Sequence, residues 1–432
     1  MTKKTLDLLL ILSLPAFGQV EMQQKYSYAL PGFYFDALNF KGEQDKSRMD
    51  FYLQVPYSQI QFMKHGNEFE GSYEISLQLI DDGGNFVLEH TWDERPTCRS
   101  FDETNSRTIS SSSEREFALP PGTYTLQVTV ADSETQKSYM AKRTFVARNY
   151  SDSLESMSDI MVLKSFSLSG GKRTIVPNVD GNVISPSDSF SVFYEVYFSK
   201  KNDSAFATTE ILNEKKQAVY SSSRLIPGSD RTERIIAQIP KDSIPMGIYN
   251  LNISLRQSPD KDAPIIANSS RFFSVHFPDL PLTILNLDEA ADEMLYVARS
   301  STIDSIKAAQ DPFVKERLFL NFWQKYKPNP SSASNSIMDE YFSRVAYANE
   351  HFTHYFKGWR TDMGMIYILF GPPNSVDRHP FEVDSKPYEV WEYYQRDRQF
   401  VFVDETGFGD YRLVTPLSDV YSPPYGPDFI GQ

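Results

Sequence analysis

The chain has 432 residues, a formal net charge of −14 and a single cysteine. An acidic chain without a basic tract excludes nucleic acid and anionic lipid as partners on electrostatic grounds. The lone Cys98 cannot close an internal disulfide, so core burial must hold the fold, and its polar surroundings read as those of a free, incidental thiol.

The N-terminus has the layout of a secretory signal. Lys3 and Lys4 form a basic start, Leu6 to Leu14 an apolar run broken by Asp7, and Ala16-Phe17-Gly18 a small-residue cleavage site before Gln19. Loss of two lysines and one aspartate on cleavage moves the charge from −14 to −15. The apolar run is too short to span a bilayer. No cysteine follows it to carry a lipid, and no later segment is apolar enough to be a transmembrane segment. The expectation is a signal peptide over residues 1–18 and a soluble, exported remainder.

Alternation marks the next 260 or so residues as strand-rich. Met49, Phe51, Leu53 and Val55 share one face, as do Phe190, Val192, Tyr194, Val196 and Phe198. An internal repeat sharpens this reading. Leu119-Pro120-Pro121-Gly122-Thr123-Tyr124 resembles Ile244-Pro245-Met246-Gly247-Ile248-Tyr249, each a turn leading into a strand that opens on Tyr. Upstream, Leu79 to Gly84 resembles Ile211 to Lys216, a strand running into a polar turn. Two such copies predict two all-β immunoglobulin-like sandwiches, residues 19–150 and 151–279, with each Tyr making a corner contact to the backbone. Asp93 to Glu116, with four serines at 110–113, reads as a long exposed loop, and Asn149 to Ser158 as a linker.

After Phe277-Pro278-Asp279-Leu280-Pro281 the period lengthens to about 3.6. Leu287 to Arg299 predicts a helix, and Asp311-Pro312 caps and opens another that runs through Lys325. Lys327 to Asn335 reads as a loop. Ile337, Tyr341, Val345, Ala348, Phe352 and Tyr355 predict a third helix, with Gly358 as its left-handed C-terminal stop. Met365 to Phe370 then reads as a strand ended by Gly371-Pro372-Pro373. Tyr388 to Tyr394, Phe400 to Val403 and Tyr411 to Val414 complete a small antiparallel sheet. Residues 280–432 are therefore expected to form an α+β domain of helices plus that sheet.

The run Tyr341-Phe342-Ser343-Arg344-Val345-Ala346-Tyr347-Ala348-Asn349-Glu350-His351-Phe352, then Gly358-Trp359-Arg360-Thr361-Asp362, then Ile366 to Pro373, resembles the GWxTD-domain family of exported bacterial proteins. Trp391-Glu392-Tyr393-Tyr394 and Phe400-Val401-Phe402 fit the same pattern, while Met363 stands where many members have a basic residue. The resemblance covers residues 285 to about 420. It implies export to the periplasm or outer membrane of a Gram-negative bacterium and brings no biochemical activity with it. The order of helices, strand, Gly-x-Pro and aromatic strand also resembles the small lipoprotein of the outer-membrane barrel-assembly machine, which implies a scaffold that binds proteins.

Turn chemistry accounts for Gly358, Trp359, Thr361, Asp362, Gly371, Pro372 and Pro373 as a helix stop, an aromatic plug and a polar turn. The candidate binding residues are Arg360, Asp377, Arg378, His379, Trp391 and Tyr393, the aromatic ones because exposed rings stack on sugars. His351 and His354 lack the HExxH spacing of a zinc site, and no glycine-rich phosphate loop or nucleophile elbow is present. No catalytic residue, metal or cofactor is assigned. The expected role is non-catalytic protein binding or scaffolding in the envelope. The alternatives are an enzyme acting on envelope polymers, with Asp362 and the His379 loop in its site, and a glycan-binding protein.

Overall fold

A computed structural model describes residues 32–416 and 420, apart from 44–45, 107–108, 151–154, 170–171, 180–182, 185–189, 202, 241–243, 261, 278–279, 282, 329–334 and 381–385. The expected signal sequence, and parts of the expected linker and of the expected loops at 93–116 and 327–335, lie outside these residues.

Strands dominate up to Val275. The first unit contains β1 (Tyr34–Lys41), β2 (Ser47–Pro56), β3 (Tyr73–Asp81), β4 (Phe86–Glu94), β5 (Ser110–Leu119), β6 (Gly122–Asp132) and β7 (Ser138–Ala147), besides shorter pieces. The second contains β8 (Met161–Ser169), β9 (Phe190–Tyr197), β10 (Ser204–Asn213), β11 (Ala218–Pro227), β12 (Thr232–Ile239), β13 (Gly247–Arg256) and β14 (Ile265–Val275). The main pairings run β1-β2-β5 and β7-β6-β3-β4 in the first unit, and β8-β9-β12 and β14-β13-β10-β11 in the second. Adding seven to each label of the first unit gives the second, so the sequence repeat is a repeat of pairing order. Its details recur too. Tyr124 Oη donates to the Pro120 carbonyl at 2.9 Å, and Tyr249 Oη donates to that of Pro245 at 2.9 Å. Asp81 and Asn213 each accept from the backbone N–H four residues on, both at 3.0 Å or less, closing the two matching turns.

In each unit two sheets close over one apolar core. Met49, Phe51, Leu53 and Val55 meet Ile75, Leu77, Leu126 and Val128 in the first. Val192, Tyr194 and Val196 meet Ile211, Leu251 and Ile253 in the second. Alternation along β6 follows from having one buried face. Every residue of β9 is buried because its other face also has a neighbour. There Leu38, Phe40 and Tyr52 of the first unit pack on Met161, Leu163 and Phe193 of the second.

Polar bonds pin this contact. Asn39 N donates to Asp159 Oδ2 at 2.7 Å, the Asp159 N–H returns a bond to the Asn39 carbonyl at 2.9 Å, and Lys41 N donates to Tyr197 Oη at 2.8 Å. Asp36, 5% exposed, pairs with Arg143 of its own unit at 3.5 Å and with Arg271 of the other. Burial pushes the Asp36 carboxyl up, but Arg271 and Arg143 outweigh it and hold it below its ordinary value.

The expected loop from Asp93 to Glu116 instead contains strand at both ends and a short helix at Phe101–Thr104. β5 includes all four serines and pairs with β2 from Pro56↔Ser110 to Ser47↔Leu119. Ser113 is buried, accepting from Trp92 Nε1 at 2.9 Å and donating to Glu94 Oε1 at 2.6 Å, so polar partners replace the apolar alternation that would have marked the strand. Cys98 is a free thiol and buried.

The helices follow: α1 (Leu287–Glu293), α2 (Ser300–Ala308), α3 (Pro312–Gln324), α4 (Ser336–His351) and α5 (Asp362–Phe370). α1, α3, α4 and α5 open on Asn286, Asp311, Asn335 and Thr361, whose side chains accept from the first free N–H groups. α2 opens on Arg299 without a side-chain cap, and the expected single helix to Arg299 stops at Glu293 before a 3-10 turn. β15 (Ser375–His379), β16 (Tyr388–Tyr393), β17 (Arg398–Asp404) and β18 (Tyr411–Leu413) pair antiparallel in that order. Among the described residues no helix is long and apolar enough to cross a membrane.

The segment expected to be a strand, Met365 to Phe370, belongs to α5. α5 lies between two cores. Ile368 joins the helical core around Trp323, Tyr341 and Phe342, whereas Met363, Ile366, Leu369 and Phe370 join the core over the small sheet with Trp391, Phe400 and Phe402. A helix buried on both faces shows no amphipathic period, which leaves a short apolar run that reads equally as strand. The likeness of pattern to the small lipoprotein, which needs a strand before Gly371, is lost with it.

Candidate functional site

Gly358-Trp359-Arg360 forms a 3-10 turn between α4 and α5. Gly358 is not the left-handed stop of α4. That helix ends at His351, and Gly358 is needed for space: a Cβ there would lie 1.8 Å from the Ala348 carbonyl oxygen. The left-handed stop falls at Gly371, with φ 78°, where the N–H donates to the Tyr367 carbonyl at 2.8 Å and the carbonyl accepts from Tyr393 Oη at 2.8 Å. Pro372 and Pro373 follow it and prevent the helix from continuing.

Most polar atoms of the motif's turn are engaged, Trp359 Nε1 being an exception. The Gly358 N–H donates to Thr353 Oγ1 at 2.8 Å, and the Trp359 N–H to Asn349 Oδ1 at 3.1 Å. The Trp359 carbonyl accepts from Tyr296 Oη at 2.7 Å. Thr361 Oγ1 donates to the Gly358 carbonyl at 2.7 Å and accepts from the Gly364 N–H at 3.0 Å. Asp362 Oδ2 accepts from the Leu413 N–H at 2.8 Å and so ties the start of α5 to the last strand. These bonds place Trp359, 3% exposed, against Tyr296 at the edge of the helical core.

Two hollows border the motif. The outer one is a cleft of about 500 Å³ bounded by Asp292, Tyr296, Ser300, Asp304, Trp359 and Arg360. Exposed Arg360 lies over the Trp359 ring at 4.7 Å and covers it, while Trp359 Nε1 is buried without a hydrogen-bond partner. The inner one is a cavity of about 180 Å³ between α1 and α4. Asn349 bridges motif and cavity: its oxygen serves Trp359, and its nitrogen donates to Glu293 Oε1 at 3.3 Å. Burial, opposed by the Asn349 hydrogen bond, pushes the Glu293 carboxyl up to about 7.

The other candidates are scattered. Asp377, Arg378 and His379 lie on β15, the free edge of the small sheet, rather than in a loop. His379 Nε2 sits 3.0 Å from Asp377, its ring stacks on Tyr388 at 4.3 Å, and Arg378 pairs with Glu389 at 3.1 Å. Glu382 and Asp384, close by in sequence, lie outside the described residues. Trp391 and Tyr393 are 3% and 4% exposed and fill the core of the sheet domain instead of offering a ring face. Among the described residues no group of three or more His, Cys, Asp or Glu is placed to hold a metal ion.

Other rings are exposed, Phe86, Phe101, Phe313 and Tyr394 among them, and three more lie close together. Tyr355, Phe356 and Phe408 are 86%, 60% and 83% exposed. Phe408 stands on the β17–β18 turn, where Asp404 gathers the N–H groups of Thr406, Gly407 and Gly409 at 3.1, 2.8 and 2.7 Å. A Cβ on Gly409 would lie 3.3 Å from His354 Cε1, so this turn touches the loop that carries Tyr355 and Phe356. The sequence signal for Phe408 was an aromatic residue between two glycines at a hairpin tip. Glu293 gave a fainter one, a carboxyl three residues after Ala290 on the buried face of α1.

Comparison with known proteins adds a family and little else. No curated protein matches the chain in sequence. Among solved structures, a β-glucuronidase from Bacteroides uniformis matches at 9% identity over 53% of this chain and 26% of its own, with a TM-score of 0.21. A β-glucuronidase from Bifidobacterium dentium matches at 8% over 52% and 39%, with a TM-score of 0.19. The calcium-binding domain CBD12 of CALX1.1 matches at 12% over 49% and 76%, with a TM-score of 0.14. The chain thus spans well under half the length of either enzyme, and at such scores none of the three informs its fold or activity. Residues 267–414 match the GWxTD domain, a span that contains the whole turn just described, so the chain carries a GWxTD domain.

Proposed function

We propose that the protein is an exported, non-catalytic binding protein of the bacterial envelope, with its GWxTD region as the interaction module. The observation that carries this reading is the set of exposed rings Tyr355, Phe356 and Phe408 on two touching loops, one of them held by the Asp404 carboxylate. Large rings held out in water on a preorganised turn cost solvation, and they suit an anchor that fills an apolar pocket on a protein partner. The motif is spent on architecture: its turn is a latch between two cores, and its backbone and Thr361 bonds are made within the domain.

In this reading the β half comprises two immunoglobulin-like sandwiches, 19–150 and 151–279, that act as a stiff spacer, and 280–432 is the α+β domain. Matching pairing orders and the paired Tyr–Pro corner bonds support the sandwich assignment. Export to the periplasm or outer membrane rests on the N-terminal signal pattern. The test is crosslinking and purification from the native host with wild type and a Phe408→Ser, Tyr355→Ser variant. The same envelope protein should be recovered with wild type and lost with the variant, at an unchanged melting temperature. Equal recovery by both sinks the reading. Loss of a bound polysaccharide instead would transfer the rings to glycan stacking.

A further inference from the structure

We infer that the cavity between α1 and α4 is a binding site for a primary ammonium group on an aliphatic stem. The volume of about 180 Å³ is well above what a single water needs. Ile284, Ala290, Phe342, Val345 and Ala346 supply its apolar walls, and among the described residues no Lys, Arg or His lines it. Its polar lining atoms divide into two sets. Asn286 is committed to the start of α1, Glu289 to Lys357, and the Asn349 oxygen to Trp359. Two further oxygens have no partner among the described residues: the second carboxyl oxygen of Glu293, and Thr283 Oγ1, which is buried.

Glu293 is only 8% exposed. A carboxylate that deep without a counter-charge is costly, and a cation entering beside it recovers much of that cost. An ammonium carries three donors for the two open acceptors, and methylenes suit the walls, as the stems of lysine side chains do elsewhere. The charged groups around Glu293 are Asp292 and Glu289 on its own helix, with Lys307 of α2 against Asp292 and Lys357 against Glu289. On α4, Asn349, Phe342, Val345 and Ala346 line the cavity, and the one titratable group against Glu293 is Tyr341, whose Oη donates to the Glu293 carbonyl at 2.6 Å. Lysine of a partner protein and a small free amine share this chemistry.

The inference is independent of the exposed rings: Phe408→Ser should leave amine binding unchanged. The experiment is calorimetric titration of the full chain with n-butylamine, Nα-acetyl-lysine N-methylamide and, as neutral control, n-butanol. Both amines should bind at least about tenfold more tightly than the alcohol, and Glu293→Gln should lose about tenfold or more. Near pH 6 binding should release a proton to the buffer, and well above pH 8 it should not. Ala346→Leu, which keeps the carboxyl and fills the space, should also abolish binding. Tighter binding of the capped lysine would assign the site to a partner's side chain, and equal or weaker binding to a free amine. No binding of either amine at about 100 mM, or equal binding by a folded Glu293→Gln protein, would overturn the inference.

Discussion

Asp36, between the two β units, and Glu293, beneath the motif, are carboxyl groups of nearly equal burial held by opposite means. Two guanidinium groups surround Asp36, one from each unit, and keep it charged. A single amide faces Glu293, and burial keeps its proton on to about pH 7. The first is a filled ion site that fastens two repeats together. The second is the carboxyl of the inferred ammonium site, with one amide against it where Asp36 has two guanidinium groups. Burial of charge alone therefore does not separate a structural pin from a binding site; the count of counter-charges does.

The comparison breaks most sharply at Asp36. Asp36→Asn leaves Arg271, whose side chain is 12% exposed, facing a neutral amide, and should cost about 3 kcal/mol or more in urea unfolding. An unchanged midpoint would show that the arginines find water instead. The next effect is in pH. Asp36 has a lowered value, so its contribution is present above about pH 4 and is lost as pH falls below that. Glu293 has a raised value, so folding binds an extra proton between about pH 4.5 and 7, and stability declines as pH rises through that window. The decline should total up to about 3 kcal/mol and vanish in Glu293→Gln, as thermal melts across pH 4 to 8 would show. A smaller test is Asn349→Ala, which strips Glu293 of its hydrogen bond and orphans the Trp359 N–H. It should cost about 2 kcal/mol and move the stability decline to higher pH. An unmoved pH profile would break the link between motif and cavity.

Much of the β half was legible because one-sided burial writes itself as alternation, and because the Tyr-led turns occur twice. It failed at β5, where Ser113 is buried through hydrogen bonds, so no apolar residue marks the position. The helices were legible where a cap announced them, at Asp311 above all, and α2, uncapped, went unread. α5 was read as a strand because both its faces are apolar. The site was less legible than the fold. Sequence shows that Trp391 and Tyr393 are aromatic, but only packing decides that they lie inside while Phe408 stands outside. Glu293 was missed because its meaning depends on which partners are absent, and a linear pattern does not record absences.

The double burial of α5 also sets where the chain can be cut. A fragment ending after the helices would leave Met363, Ile366 and Leu369 bare, and one starting at the small sheet would lack its floor. The Asp362–Leu413 bond extends the same constraint to the last strand. The smallest piece of the C-terminal half able to stand alone therefore runs without a break from the helices to at least Leu413, and proteolysis should yield it whole or not at all.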